Sequence, residues 1–408
     1  MSIKPILKSV IALLFLSLAL PAQAEDSIVI NVPTRTLTFY QDGSLFKEYP
    51  IAIGSVSTPT PLGSYSIISK EINPNWYPPD QPGEVVLSGP YNPLGYRWLG
   101  FISNIYGIHG TNSPSSIGRA VTNGCIRMYE PDVEELFELV SYNTPVKITY
   151  NVTKVTVDKS GLAKISVFPD VYYRGAKADP EYVKNVLAEN DLLVFVDETS
   201  LANALSKNSE KAVEIIRPVK LKINGQKVAD LSIATRENIY LPLKAFGNRW
   251  ENLISEKQGQ KIILLENTEI PILFSKNTAY ISGQELTKIL SGKQTWQENK
   301  TVWSFEQTAV LLDKEKTPLD TIKTNGLIAV PLAELAKTLK RTGYWDTISQ
   351  TYFLESNAEK GVFIAITPAV IGTEFFLPIT KINQYFQIFV YWDTKNNIVE
   401  LSSPGIVG

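Results

Sequence analysis

The sequence predicts a mostly-β, β-sandwich-like domain with one packed helix, followed by an α+β repeat region. Three observations predict it. Short alternating apolar and polar runs, broken by turn signals, fill Ser27 to about Tyr150. One helix-like stretch, Pro131–Ser141, interrupts them. Beyond residue 216 a short motif returns at spacings of 40, 49 and 47 residues. A chain of 408 residues has room for two or three domains of ~100–200 residues. Its 44% hydrophobic, 20% charged and 10% aromatic composition excludes a disordered or low-complexity architecture. The net charge of -2 supplies no basic field for nucleic acid. The expected segments are 1–24, 25–150, 151–215 and 216–408.

Residues 1–24 read as a secretory signal peptide. Lys4 and Lys8 give the positive start, Ile11 to Leu20 the apolar run, and Ala22-Gln23-Ala24 the small-residue cleavage site. The run is short of the ~20 residues of a transmembrane span, and no other stretch of the sequence is apolar enough to cross a bilayer. No Cys follows it, which excludes a lipoprotein anchor. The mature protein is therefore expected outside the cytoplasm, secreted and without an integral membrane span.

Within 25–150, Ser27–Val32 and Leu37–Tyr40 read as strands, Asp42-Gly43 as a hairpin turn and Lys47–Ile53 as the returning strand. A Thr/Pro loop from Thr58 to Gly63 precedes strand Ser64–Ile68. Asn73–Gly95, rich in Pro, Gly and aromatics, reads as a long cleft-lining segment. In the helix, Pro131 suits the first helical position, Asp132 and Glu134 the first turn, and Val133, Leu136, Phe137 and Val140 form one apolar face. Residues 151–215 read as a connecting subdomain with a helix around Pro180–Glu189 and an apolar strand Leu192–Val196.

The repeat anchors are Pro242, Ser282, Pro331 and Pro378, each in a short apolar run that leads into a helix-like stretch such as Leu332–Leu339. Trp296, Trp345 and Trp392 each stand fourteen residues after the last three anchors, and Glu256 holds that place in the first repeat. Further β-like runs follow at Lys261–Leu265, Thr301–Phe305, Thr351–Leu354 and Ile398–Leu401. Strand–helix–hairpin is the expected unit, stacked or paired to bury its core. The segment resembles copper amine oxidase N-terminal-like stalk repeats over roughly 218–402. It holds no His and no Cys and so offers no copper site.

The chemistry concentrates in one place. The chain has one His and one Cys, which makes a disulfide framework impossible and a Cys/His metal site untenable. No metal and no cofactor is expected. His109 and Cys125 stand sixteen residues apart, and eleven of the fifteen residues between them are Gly, Ser, Thr, Asn or Pro. A long polar loop inside a compact domain is usually functional or disordered, and the chain's one His and one Cys at its ends favour function. A lone Cys in an exported protein is either buried and inert or a reactive thiol. A neighbouring imidazole can take a thiol proton, Gly124 permits close backbone approach, and the N–H groups near Gly124 and Cys125 can form an oxyanion hole. An extended Cys125–Met128 turns Cys125 and Arg127 to one side and Ile126 and Met128 to the core. Arg127 then either binds a substrate carboxylate or holds the loop through backbone carbonyls.

These residues carry a resemblance. Gly107-Ile108-His109-Gly110-Thr111-Asn112 and Thr122-Asn123-Gly124-Cys125-Ile126-Arg127-Met128 resemble the signature of the YkuD-type L,D-transpeptidase catalytic domain. Gly54 with Ser57–Gly63, Asn92-Pro93-Leu94-Gly95 and Trp98-Leu99-Gly100 match it in order over about 26–150. The resemblance implies that Cys125 is the nucleophile, His109 the base, and a backbone carbonyl near Gly110 the group that orients it. It places Gly124 with the catalytic residues and Arg127, Asn123, Thr111 and Asn112 with the substrate. Thr122-Asn123 stands where many members have Ser-His, so Asn123 takes the place of a second His. The implied reaction is acyl transfer on peptidoglycan stem peptides, ending in a 3→3 cross-link with an amine acceptor or in L,D-carboxypeptidase action with water. A catalytically silent wall-binding protein is the alternative from another class. Trp76, Tyr77, Tyr91, Tyr96 and Trp98 either line the donor groove or pack ordinarily. The repeats are expected to associate with the cell wall, and Tyr129 and Glu130 to be structural.

Overall fold

A computed structural model of the protein describes residues 25–404 apart from Asn104, 208–209, 266–267 and 357–358. The expected signal peptide lies outside the described residues. The chain divides into two compact units, one formed by the residues up to Val152 with Phe168–Lys177, the other by Thr153–Val167 with the chain from Ala178 onward.

The first unit is mostly β with one helix, as expected. Its strands are β1 (Ser27–Asn31), β2 (Thr36–Gln41), β3 (Ser44–Pro50), β4 (Ile53–Gly54), β5 (Gly63–Ser66), β6 (Ser69–Ile72), β7 (Arg97–Ile102), β8 (Tyr106–His109), β9 (Ala120–Thr122), β10 (Ile126–Arg127) and β11 (Pro145–Thr149), with α1 (Glu130–Leu139) before the last. They form a five-stranded sheet ordered β3-β2-β1-β11-β5, a four-stranded sheet ordered β10-β8-β7-β6, and the pair β4-β9. One core serves both larger sheets and the helix: Ile28, Ile30, Leu37 and Phe39 meet Leu99, Ile108, Ile126, Met128, Val133 and Leu136, all without exposed surface. The period-2 alternation of β1 follows from this, since every second side chain faces that core. Tyr129 caps α1, so Pro131 occupies the second helical position rather than the first. Lys70 Nζ donates to the carbonyls of Phe137 and Val140 at 2.7 and 2.6 Å, satisfying two orphan acceptors at the helix end.

The second unit contains four strand–helix–hairpin units. Anchor strands Ile239–Pro242, Thr278–Ser282, Leu327–Pro331 and Glu374–Pro378 run into helical segments Leu243–Phe246, Gly283–Ile289, Leu332–Thr338 and Ile379–Phe386. Hairpins follow, Ile254–Lys257 with Gln260–Leu265 in the first unit and Phe389–Asp393 with Ile398–Ser402 in the last. The anchors pair antiparallel two by two, Leu241 opposite Ile281 and Val330 opposite Leu377. The first helical segment is only a 3-10 turn, ended by Gly247.

The expected strand Leu192–Val196 is absent. Leu193–Phe195 is a 3-10 turn, followed by an unanticipated helix Glu198–Leu205. The reason lies in the flanks: the preceding helix ends at Glu189, and Asp197 caps the next one by accepting from Ser200 N–H at 2.8 Å. The residues between them are taken up by the cap at Asn190 and the 3-10 turn itself, so no strand forms. Their apolarity buries Phe195 edge-on against Tyr280.

Leu99→Ala is expected to lower the stability of the first unit by about 2–5 kcal/mol, because Leu99 is wholly buried between the sheets. Leu45→Ala, on the exposed flank of β3, is expected to change it by less than about 0.5 kcal/mol. Urea denaturation followed by tryptophan fluorescence measures both.

Candidate active site

The site is built on the parallel pairing of β8 with β10. Ile126 lies opposite Ile108, and Arg127 opposite His109. Ile126, Ile108 and Met128 are fully buried, so Cys125, Arg127 and His109 share the other face. The side-chain alternation expected for Cys125–Met128 is present, although only Ile126 and Arg127 are hydrogen-bonded as a strand.

His109 is 4% exposed and stacks on Trp98, with ring centroids 5.7 Å apart and planes at 21°. Its Nδ1 lies 2.8 Å from the Gly110 carbonyl. A carbonyl only accepts, so Nδ1 carries the proton and Nε2 keeps its lone pair. Burial lowers the pKa of the imidazole to about 4; the Gly110 carbonyl opposes the fall and the charge of Arg127 adds to it. At neutral pH the ring is an uncharged acceptor.

The Cys125 thiol donates to the Ile105 carbonyl at 3.5 Å. Burial pushes its pKa up, while the Gly107 backbone and the Arg127 charge pull it down. The resting sulfur is therefore a thiol. Arg127 is half-buried and its pKa is lowered by burial. Its Nε has no hydrogen-bond partner among the described residues, and no described backbone carbonyl accepts from its guanidinium.

Two buried threonines hold the backbone on either side of the sulfur. Thr122 Oγ1 donates to the Cys125 carbonyl at 2.6 Å and accepts from Gly124 N–H at 3.1 Å. Thr60 Oγ1 donates to the Gly124 carbonyl at 3.0 Å and accepts from Gly54 N–H at 2.9 Å. Gly124 has φ +104°, and a Cβ there would stand 2.5 Å from the Tyr106 ring. Both facts require glycine.

Glu130, expected to be merely structural, pins the other side. Its carboxylate accepts from Tyr96 N–H at 3.1 Å and from Thr111 N–H at 2.6 Å. A Cβ on Gly110 would fall 2.0 Å from that carboxylate, so the glycine lets the carboxylate lie against the His109–Thr111 backbone. Thr111 is buried, with its hydroxyl accepting from Ser113 N–H, and Asn112 Nδ2 donates to the Tyr91 carbonyl. Asn123 is exposed. Among the aromatics, Trp98 lies buried under the imidazole while Tyr77 and Tyr91 face solvent. Sequence reasoning missed Thr60, Thr122 and the full part of Glu130. No group of three or more His, Cys, Asp or Glu residues among the described residues is arranged to hold a metal.

Two outcomes follow. The His109 pKa is lower in the folded protein than in an unfolded chain, so the unfolded chain takes up the proton first as pH falls. The stability involved is fully present above pH about 6.5 and is lost on descent towards about 4, a change of roughly 3 kcal/mol. Urea midpoints between pH 4 and 8 should show this loss in the native protein, and His109→Gln should lack it. The second concerns Cys125: its alkylation rate with iodoacetamide should keep climbing above the ordinary thiol pKa of about 8.5. A plateau reached by pH 7 would contradict a thiol held up by burial.

The family model described as the L,D-transpeptidase catalytic domain, YkuD, matches residues 25–148. YkuD of Bacillus licheniformis is 42% identical over 122 residues, which are 30% of this chain and 64% of that protein. YqjB of Bacillus subtilis is 37% identical over 134 residues, 32% of this chain and 74% of that protein. YbiS of Escherichia coli is 30% identical over 220 residues, 48% of this chain and 70% of that protein. All three carry the name L,D-transpeptidase. The chain thus spans just under two thirds of the first relative's length. Among solved structures, an L,D-transpeptidase from Mycobacterium smegmatis is 21% identical, with 31% of this chain and 59% of that chain covered and a TM-score of 0.27. On the strength of the family match and these relatives, the chain belongs to the YkuD-type L,D-transpeptidase family.

Proposed function

We propose that this protein is an exported L,D-transpeptidase that acts on peptidoglycan stem peptides through a thioester on Cys125. The observation that carries the reading is the shared strand-pair face of the chain's one His and one Cys, with an imidazole whose Nδ1 is tied to Gly110 and whose Nε2 is left to accept a proton.

In this reading the thiol turns from the Ile105 carbonyl and yields its proton to His109 Nε2 as Sγ bonds to the carbonyl carbon of the third stem residue. Negative charge develops on the former carbonyl oxygen, which faces the Cys125 N–H. Collapse breaks the C–N bond, and His109 returns its proton to the departing amine of the terminal D-Ala. An acceptor amine then attacks the thioester, passes a proton through His109 and restores the thiol. A side-chain amine from a neighbouring stem gives a 3→3 cross-link, other amines are attached in the same way, and water gives a shortened stem. Arg127 pairs with the donor's terminal carboxylate, a role supported by its unpartnered Nε beside the site. Asn123 faces the bound stem, and Thr111 and Asn112 shape the rim through their bonds to the surrounding backbone.

Export through residues 1–24 completes the proposal, together with a connecting region at 151–215 and copper amine oxidase N-terminal-like stalk repeats at 216–408 that associate with the cell wall. Among the described residues no helix is long and apolar enough to cross a membrane.

Intact-mass analysis after incubation with the carbapenem imipenem tests the site. One adduct per chain is expected, and none on Cys125→Ala. With a tetrapeptide stem as donor, the native protein should release D-Ala and the variant none. A folded native protein that takes no adduct and releases no D-Ala would overturn the reading in favour of a silent wall-binding protein.

A further inference from the structure

We infer that Tyr172 is a positioning residue for the Cys125 oxyanion donor, supplied by a segment outside the residues the family model matches. The inference rests on the acyl-transfer reading above and names a part of its machinery.

The chain leaves the first unit at Val152 and returns to it for Phe168–Lys177. In that returning segment the Tyr172 hydroxyl donates to the Gly54 carbonyl at 2.9 Å and accepts from Thr60 N–H at 3.1 Å. One hydroxyl therefore closes the turn from Gly54 to Thr60. Inside the same turn Thr60, 1% exposed, accepts from Gly54 N–H and donates to the Gly124 carbonyl. The proton and an acceptor site of each hydroxyl are used, so neither is free to rotate.

The consequence for Cys125 comes from peptide planarity. The Gly124 carbonyl and the Cys125 N–H belong to one trans peptide and point in opposite directions. Holding that carbonyl on Thr60 therefore aims the Cys125 N–H away from Thr60. No described residue accepts from this N–H. An aimed N–H without an acceptor is what a developing oxyanion requires. Tyr172 is built into place for the task. Its own N–H donates to the Tyr150 hydroxyl at 2.8 Å, and the two rings stack with centroids 5.7 Å apart. The Tyr150 hydroxyl in turn donates to Asp170, whose other oxygen accepts from Gly175 and Ala176 N–H. The segment carries a closed hydrogen-bond network of its own, which a surface strap lying passively on the domain would not need.

Two reagents separate positioning from general damage. Acylation by imipenem passes through a tetrahedral oxyanion, whereas alkylation by iodoacetamide displaces iodide at sulfur and forms none. In the full-length protein, Tyr172→Phe removes only the hydroxyl. It should lower the limiting imipenem acylation rate about tenfold, leave the half-saturating concentration within twofold and change the alkylation rate less than twofold. Thr60→Val, which breaks the intervening link, should show the same split, so either variant that folds by circular dichroism decides the matter. Unchanged acylation in Tyr172→Phe, or an equal fall with both reagents, would overturn the inference while leaving the transpeptidase reading in place. A folded native protein that takes no imipenem adduct and releases no D-Ala removes both.

Discussion

The site depends on one short stretch of parallel pairing. β8 and β10 contribute only a few residues each, yet their register sets His109 opposite Arg127 and brings Cys125 beside Gly107. Parallel pairing needs a crossover between the strands, and the polar loop after His109 is that crossover. It is not structureless. A 3-10 turn at Pro114–Ser116 and strand β9 lie along it, and β9 pairs with β4. The core side of β8 and β10 is wholly buried, so a register slip of one residue would drive Ile108 or Ile126 into the open face. Hydrophobic burial on one face thereby fixes where His109, Cys125 and Arg127 stand on the other.

Around that frame, polar groups that cannot reach water are satisfied by side chains both near and far along the sequence. Glu130 accepts two N–H groups from separate loops, Thr60 and Thr122 bracket the Cys125 backbone, and Asn92, with no exposed surface, donates to the Pro74 carbonyl. The neutral bonds among these are worth about 1 kcal/mol net each and those to the carboxylate about 1.5–3, and a buried partner left alone adds its desolvation cost. The loops are consequently held as a set, and the geometry of the sulfur belongs to the whole set.

This explains what was legible in the sequence. Alternation in β1 and β2, the apolar face of α1 and the four repeated anchors are local patterns, and the structure has the corresponding elements. His109, Cys125 and Arg127 stood out because the chain has one His and one Cys and the segment between them is polar. Thr60, Thr122 and Tyr172 gave no signal of that kind. Thr60 and Tyr172 act through partners up to 118 residues away, and a threonine in a Thr/Pro loop looks like any turn residue. Glu130 was hidden for a related reason. A glutamate in the first helical turn is explained by the helix dipole alone, which masks its second use. The mistaken strand at Leu192–Val196 shows the converse error, in which an apolar run was read by composition while two helix ends decided its conformation.

On the proposed reading, the electrostatics of the pair bear on when the sulfur becomes reactive. Burial disfavours charge on both groups, holding the imidazole neutral and the thiol protonated. Arg127 lowers both values, which assists a thiolate but opposes an imidazolium, so it gives a resting ion pair no net help. A preformed thiolate–imidazolium pair is therefore not the ground state. On the proposed reading, the proton moves as the C–S bond forms, and negative charge passes from sulfur to the substrate oxygen instead of resting on sulfur. The groups that must then be in place are those that meet that oxygen. On that same reading, the backbone around Cys125, rather than the pKa of its thiol, is the main determinant of acylation. That conclusion accords with the molecule's investment of two buried threonines, a positive-φ glycine and a remote tyrosine in fixing two peptide planes.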